Sequence, residues 1–179
     1  MITAETLNPL LGLATFALQI ATAGFLALYI FRSKLPDLND VVAFAGTWGL
    51  WAALLLSFGG TAMSLFYSDV LGFVPCGLCW LMRIFMYSQV PLFAVALWKR
   101  DRNIADYSIA LSIFGVALGL YQHYLQMGGA SVIPCPATGG GDCAQRFFFE
   151  LNYITFPLMG ATLFAALIVT MLFVRLRRD

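Results

Sequence analysis

The chain has 179 residues, of which 61% are hydrophobic and 11% are charged, and its formal net charge is +1. Soluble domains carry about 25% charged residues, because a water-facing surface needs them and a lipid-facing surface does not. The composition therefore excludes a soluble domain and indicates a polytopic membrane protein. The small net charge, without a basic polar stretch, argues against a nucleic-acid partner.

Five apolar segments are long enough to cross a bilayer as helices, which takes about 20 residues each. In chain order they cover residues 9–31, 42–67, 80–98, 104–127 and 151–174. The first lacks the basic residues that precede the hydrophobic region of a signal peptide and is longer than such a region, so we expect it to be retained. Backbone groups in lipid must bond within their own segment, which predicts an all-α helical bundle.

Basic residues predict the orientation of the chain in the membrane. The first loop, the third loop and the C-terminus hold eight of the ten Lys and Arg residues: Arg32, Lys34, Lys99, Arg100, Arg102, Arg175, Arg177 and Arg178. In a five-span protein these three regions lie on one side, and basic loops are typical of the cytoplasmic side. We therefore predict an N-terminus outside the cytoplasm and a cytoplasmic C-terminus.

All four cysteines fall on the opposite, exported side in this topology. Cys76 and Cys79 come at the outer end of the third segment, and Cys135 and Cys143 lie in the loop before the fifth. Disulfides persist on the exported face of a cell. This distribution predicts thiol–disulfide chemistry outside the cytoplasm.

The first pair stands in the stretch CGLC, directly after Pro75 and at the predicted start of a helix. A helix N-terminus offers unpaired N–H groups and a partial positive charge, which favour a thiolate. Thiolate is the reactive form in disulfide exchange. A disulfide across two intervening residues also closes a tight ring and tends to exchange readily.

The second pair lies in the stretch CPATGGGDC, where seven residues, including three consecutive glycines, separate Cys135 from Cys143. Such a composition predicts a flexible loop that can close a disulfide and also move. A loop disulfide near a Cys-x-x-Cys pair at the membrane rim suggests a relay. One pair would meet a soluble partner and the other would pass electrons into the membrane.

Two further residues are candidates for binding an electron acceptor. Arg83 follows Cys79 by four residues and Cys76 by seven, so the three share one helical stripe. It is either an arginine that extends to the interface or a donor to an anionic or carbonyl group beside Cys79. His123, the single histidine, lies at the outer end of the fourth segment. It either serves packing and interfacial hydrogen bonding or lines one pocket with Arg83.

Several of these motifs together resemble the disulfide-bond formation protein B (DsbB) family, including its short BdbC-type members. The resemblance rests on PCGLCWLMR followed by MYSQVPL, on YQHYLQ, on the two-cysteine outer loop and on ITFPLMG. It covers roughly residues 42–174 and implies a four-helix membrane bundle. We therefore expect a catalytic domain at 42–179, preceded at 1–41 by an extra N-terminal transmembrane helix and the first cytoplasmic loop.

The resemblance also implies a reaction in a bacterial cell membrane. A reduced extracytoplasmic thioredoxin-fold thiol oxidase of the DsbA/BdbD type would attack the Cys135–Cys143 disulfide at Cys135. Cys143 would then pass the electrons to Cys76, and Cys79 would reduce a ubiquinone or menaquinone held near Arg83 and His123. The reaction would support disulfide formation in exported proteins.

Three alternatives remain open at this stage. A vitamin K epoxide reductase-like enzyme also combines a loop pair with a Cys-x-x-Cys pair, but its loop cysteines come first in the chain. A non-enzymatic membrane scaffold would use the cysteines as structural disulfides. A zinc site would need four thiolate ligands, whereas exported cysteines are usually oxidised, so we expect no metal.

Overall fold

A computed structural model of the chain describes residues 4–34, 38–131, 135 and 142–177. It contains five long α-helices, each long and apolar enough to cross a membrane. They are α1 (Ala4–Phe31), α2 (Asn39–Leu65), α3 (Gly77–Lys99), α4 (Ile104–Gln126) and α5 (Phe156–Leu176). The predicted all-α membrane fold is confirmed.

Helix α5 is the centre of the molecule. It packs against α4, α2 and α1, while α2 and α4 also pack against α3. Helices α2 to α5 thus form a four-helix bundle, and α1 lies outside it against α5. The largest apolar core belongs to the bundle, and its buried residues come from α2 (Leu50, Ala53), α3 (Met86, Phe93, Ala96), α4 (Ile104, Ala105) and α5 (Phe164, Leu167, Met171, Val174).

The contact between α4 and α5 depends on glycines spaced four residues apart, in the stretch GVALG at 115–119. A Cβ atom on Gly119 would lie 2.9 Å from the Pro157 carbonyl oxygen and 2.9 Å from the Ala161 Cβ. A Cβ atom on Gly115 would meet the ring of Phe164. Small residues at this spacing let two membrane helices approach closely, since dispersion contacts and not water exclusion hold helices together in lipid.

A buried hydrogen-bond chain joins α3 to α4 in the middle of the bundle. The Ser108 hydroxyl donates to Gln89 Oε1 at 2.6 Å, and Gln89 Nε2 donates to Ser112 Oγ at 3.1 Å. All three side chains are buried. Such interhelical bonds satisfy polar groups that lipid cannot hydrate, and they set the rotation of the two helices.

Contacts at one end of the bundle bring the third loop beside the C-terminus. Arg175 forms an ion pair with Asp106 at 3.3 Å, and Arg102 Nη1 donates to the Arg177 carbonyl oxygen at 3.0 Å. The start of α3, with Cys76 and Cys79, lies at the other end. The basic third loop and C-terminus therefore share one end, as expected, and which side of the membrane this end faces stays a prediction.

Several helix boundaries differ from those of the predicted apolar segments: α1 begins at Ala4 and α2 at Asn39, ahead of residues 9 and 42. Helix α3 begins at Gly77, which agrees with the helix start predicted at CGLC and precedes the apolar segment from residue 80, because Cys76 caps it. Helix α5 begins at Phe156, not at 151, because Leu151 and Asn152 take left-handed backbone angles, with φ values of 52° and 61°. The hydroxyl of Thr155 then accepts a hydrogen bond from the Leu158 N–H and caps the helix. Apolar composition had extended the predicted segment through this turn.

The glycine contact between α4 and α5 can be tested by Gly119→Val. The added side chain would force the helices apart, and overpacking of this kind costs about 1–3 kcal/mol. We expect a lower thermal unfolding midpoint for purified protein in detergent. Gly24→Val is the matched control, because a Cβ atom on Gly24 meets nothing within 4 Å. Equal midpoints for the two variants would contradict the proposed contact.

Candidate active site: four cysteines at one end of the bundle

The Cys-x-x-Cys pair opens α3 as the sequence predicts. Cys76 has an extended backbone and is the N-cap residue, and its sulfur accepts a hydrogen bond from the Cys79 N–H at 3.4 Å. Both cysteines carry free thiols, with their sulfur atoms 2.8 Å apart. The pKa of the Cys76 thiol is raised, first by its hydrogen bond with Cys79 and then by burial. Cys76 is therefore the thiol that retains a proton in the reduced pair.

The second pair forms a disulfide between Cys135 and Cys143, whose Cα atoms lie 6.0 Å apart. This disulfide packs into the same apolar cluster as Cys76 and Cys79, together with Leu125. Cys143 is 2% exposed, whereas Cys135 is partly exposed. The fold thus brings all four cysteines together. The flexible segment expected between the loop cysteines falls almost entirely on 136–141, outside the described residues.

Hydrogen bonds and aromatic contacts attach the loop after Cys143 to the helix ends. Gln126 Nε2, in the last turn of α4, donates to the Gln145 carbonyl oxygen at 2.9 Å. The ring of Phe147 packs edge-on against Phe73 with centroids 5.3 Å apart. Phe148 is buried, with its ring centroid 4.9 Å from that of Phe156. These contacts place Cys143 against the start of α3.

Gln122 of α4 is a site residue that the sequence reasoning missed. Its Nε2 lies 3.0 Å from the Cys76 sulfur and 3.1 Å from the Cys79 sulfur, so one amide donates to both atoms. The side chain is 1% exposed, and its Oε1 has no hydrogen-bond partner among the described residues. Gln122 and Gln126 are one turn apart in an apolar helix. Polar groups inside a membrane span commonly mark function, and this signal was available in the sequence.

Arg83 bonds to α2 and does not extend freely toward the interface. Its Nε donates to Ser64 Oγ at 3.0 Å and its Nη2 donates to the Ser64 carbonyl oxygen at 3.0 Å. Its guanidinium carbon lies 5.0 Å from the centroid of the Trp80 ring. Tyr87 also donates to Ser64 Oγ, at 3.2 Å. Ser64 and Tyr87, which orient the arginine, carry no distinctive sequence signal.

A cavity of about 440 Å³ begins at the thiol pair and extends into the bundle. This volume is within the range of sites for small organic ligands. Its polar residues near the thiols include Arg83, Gln122 and Gln126, and the deeper lining consists mainly of apolar residues. Further lining residues come from α1 (Leu11, Ala14, Leu18), α2 (Leu55, Gly59, Met63), α3 (Met86) and α5 (Leu163).

His123 does not lie with Arg83 in this cavity, whose lining residues do not include it. Its Nδ1 is 2.9 Å from the hydroxyl of Thr155, the buried N-cap residue of α5. The histidine therefore joins the end of α4 to the start of α5. The expectation that it lines one pocket with Arg83 is not met in this structure, and its assignment to acceptor binding stays a prediction.

The sequence profile of the family described as disulfide bond formation protein DsbB matches residues 46–174. The chain belongs to the DsbB family. It is 38% identical over 110 residues to the SPbeta prophage-derived disulfide bond formation protein B of Bacillus subtilis, covering 62% of this chain and 74% of the relative. It is 29% identical over 124 residues to disulfide bond formation protein C of the same organism, covering 68% and 86%.

A relative from Metapseudomonas resinovorans, a probable disulfide formation protein, is 32% identical over 138 residues, covering 74% of this chain and 92% of the relative. No solved structure matches the chain. Family membership confirms the resemblance found in the sequence and implies a multi-pass membrane disulfide oxidoreductase. A scaffold with purely structural disulfides is therefore disfavoured.

Replacing Gln122 tests its contact with the thiol pair. Gln122→Leu keeps the volume and removes both donations, and a hydrogen bond to a charged group contributes about 1.5 kcal/mol, or roughly tenfold. We expect Cys79 in the reduced protein to react with iodoacetamide about tenfold more slowly at neutral pH. Gln126→Leu is the control, because Gln126 bonds to the loop and not to a sulfur. Unchanged alkylation in Gln122→Leu would show that the amide does not activate the pair.

Proposed function

We propose that this protein is a thiol:quinone oxidoreductase that re-oxidises an extracytoplasmic thioredoxin-fold thiol oxidase. The observation that carries the proposal is the continuity between two redox pairs and a cavity. The Cys135–Cys143 disulfide shares one cluster with the Cys76–Cys79 dithiol, and that dithiol lines an apolar cavity in the bundle. Electrons can thus pass from a water-facing loop to a lipid-soluble acceptor without a long-range step.

The first half of the reaction takes place at the loop disulfide. A thiolate of the reduced partner attacks Cys135 Sγ, which breaks the Cys135–Cys143 bond and leaves Cys143 as a thiolate. The greater exposure of Cys135 supports attack at this sulfur, since Cys143 is buried. The second thiol of the partner then displaces Cys135, and the partner leaves oxidised. The loop pair has gained two electrons and two protons overall.

The second half transfers these electrons to the rim pair. With Cys76 and Cys79 joined as a disulfide, the Cys143 thiolate attacks Cys76, and Cys135 closes the loop disulfide again. Burial of Cys143 in one cluster with Cys76 supports this choice of sulfur. The rim pair is then a dithiol and the loop pair a disulfide, the combination present in this structure. Because Cys76 retains its proton, the thiolate of the reduced pair is Cys79, and Gln122 Nε2 donates to its sulfur.

A quinone supplies a two-electron, two-proton oxidant, so re-forming the Cys76–Cys79 disulfide yields one quinol. The cavity residues fit such a group. Arg83 has five N–H donors, of which two bind Ser64, so donors remain for a carbonyl oxygen. The Oε1 atoms of Gln122 and Gln126 are buried without a partner among the described residues and can accept from a quinol hydroxyl. The choice between ubiquinone and menaquinone depends on the ring, which these residues do not distinguish.

The proposal places the cysteines on the exported side of a bacterial cell membrane and the basic end of the bundle in the cytoplasm. The distribution of Lys and Arg supports this orientation, with the N-terminus outside. Residues 42–179 form the catalytic domain in this proposal, and residues 1–41 add a transmembrane helix and the first cytoplasmic loop. The oxidised partner would carry disulfides to exported proteins.

The relay is tested by turnover of purified protein with a reduced thioredoxin-fold dithiol oxidase and decylubiquinone or menadione. We expect loss of quinone absorbance in proportion to the dithiol supplied. Serine at any one of Cys76, Cys79, Cys135 or Cys143 should abolish turnover, because each sulfur takes part in a bond that must form and break. Near-normal turnover in one variant would remove that cysteine from the relay. Wild-type protein that consumes no quinone would refute the proposed acceptor.

Arg83→Ala separates acceptor binding from partner docking. We expect the KM for the quinone to rise by about tenfold or more, because a hydrogen bond to a charged group contributes about 1.5–3 kcal/mol. The KM for the dithiol partner should stay near its wild-type value. Arg146→Ala is the control, because Arg146 lies over the Phe149 ring and outside the cavity. A rise confined to the partner KM would assign Arg83 to docking.

A further inference from the structure

Helix α1 borders the cavity although it lies outside the region that the family profile matches. The profile begins at residue 46, whereas α1 ends at Phe31. Leu11, Ala14 and Leu18 of α1 nevertheless line the cavity that also contains Cys79. The additional helix is thus part of the cavity wall and more than an anchor beside the bundle.

Specific contacts hold α1 in this position. Gln19 Nε2 donates to Thr162 Oγ1 of α5 at 3.1 Å, and the Tyr153 hydroxyl donates to Gln19 Oε1 at 2.7 Å. Nearer the cysteines, the Tyr67 hydroxyl donates to Asn8 Oδ1 at 2.6 Å. Hydrogen bonds at two heights prevent α1 from rotating or sliding freely. Ala14 therefore faces the cavity in a defined way.

The cavity extends along α1 away from the cysteines. On α3 its lining runs from Cys79 to Tyr87, which is about 12 Å at the rise of an α-helix. On α1 it runs from Leu11 to Leu18, which is about 10 Å. The far part lies deeper along the spans and is lined mainly by leucine and methionine side chains and by glycines. The site for the quinone ring thus continues as an apolar extension into the hydrocarbon region. Such an extension suits an apolar hydrocarbon chain attached to the ring.

Two small residues line this extension, one on α1 and one on α2. A Cβ atom built on Gly59 of α2 would meet no other atom within 4 Å, so the space beside it is free. Ala14 stands on the α1 side. Helix α1 packs against α5, and the cavity occupies space between α1 and α2, since both helices contribute lining residues.

We propose that α1 is the outer wall of a channel for the isoprenoid tail of the quinone, and that the tail leaves the protein between α1 and α2. This inference rests on the proposed function, because it concerns the acceptor of the same reaction. The continuity of the apolar extension with Cys79 and Arg83 identifies the tail as the occupant. Side chains of α1 then determine how well a tailed quinone binds, in addition to the groups that hold the ring.

The test compares quinones that share one ring and differ in their tail. Menadione and phylloquinone form one such pair, and the tail-free ubiquinone head group and decylubiquinone form another. Ala14→Leu narrows the channel from the α1 side, and Gly59→Leu narrows it from the α2 side. Each variant should raise the ratio of the KM for the tailed quinone to that for the tail-free quinone by about tenfold, because buried apolar contact with the tail is lost.

Two controls introduce the same side chain outside the channel. Ala17→Leu places it on an exposed part of α1, and Gly24→Leu places it where nothing lies within 4 Å. Both should keep the wild-type ratio. Since the readout is a ratio between two substrates of one preparation, a general loss of folded protein cancels.

The outcomes separate this inference from the proposed function. An unchanged ratio of KM values in both Ala14→Leu and Gly59→Leu would refute the channel. The same result is expected if an acyl chain of a phospholipid, and not the quinone tail, fills the space. A changed ratio in Gly59→Leu alone would show that α1 is not its wall. If wild-type protein reduces quinones with and without a tail, the proposed function stands in either case. If it reduces none, both fall.

Discussion

The close contact of α4 with α5 is the constraint on which the cysteine end of the molecule depends. Gly119 brings the two backbones together beside Pro157, in the first turn of α5. The next turn of α4 carries Gln122 and His123, which bond to the thiol pair and to Thr155 respectively. A bulkier residue at Gly119 would displace both groups at once. In lipid, where water exclusion does not drive helix association, such steric fit determines where polar groups can meet.

The four cysteines at this end of the bundle differ in their exposure. The loop disulfide joins the partly exposed Cys135 to the buried Cys143, and the rim dithiol consists of the buried Cys76 and the partly exposed Cys79. The two buried cysteines are those that exchange with each other in the proposed relay, and the two partly exposed ones are those that meet the aqueous partner and the lipid-soluble acceptor. Thiol exchange needs direct contact between sulfurs, so their packing in one cluster is a requirement of the chemistry.

Gln122 and Arg83 illustrate how polar groups are maintained inside an apolar bundle. Each is costly in a membrane span unless it bonds, and each bonds to a group on another helix. Arg83 is oriented by Ser64 of α2, and Gln122 of α4 meets the sulfurs at the start of α3. Three helices thus contribute to one site. The position of α1 against α5 adds a fourth helix to the lining of the apolar part of the cavity.

The sequence by itself determined the number of spans, the placement of all four cysteines at one end and the start of a helix at CGLC. These features depend on local composition and on spacing along one segment. The tertiary structure decided that the loop disulfide reaches the rim pair, that Gln122 donates to both sulfurs, that His123 turns to Thr155 and that α1 borders the cavity. Gln122 and Cys76 are 46 residues apart, and membrane helices are apolar on most faces, so hydrophobic periodicity does not reveal which faces meet. Only packing of the whole bundle selects those faces, because it must satisfy the close glycine contacts and the buried polar groups together.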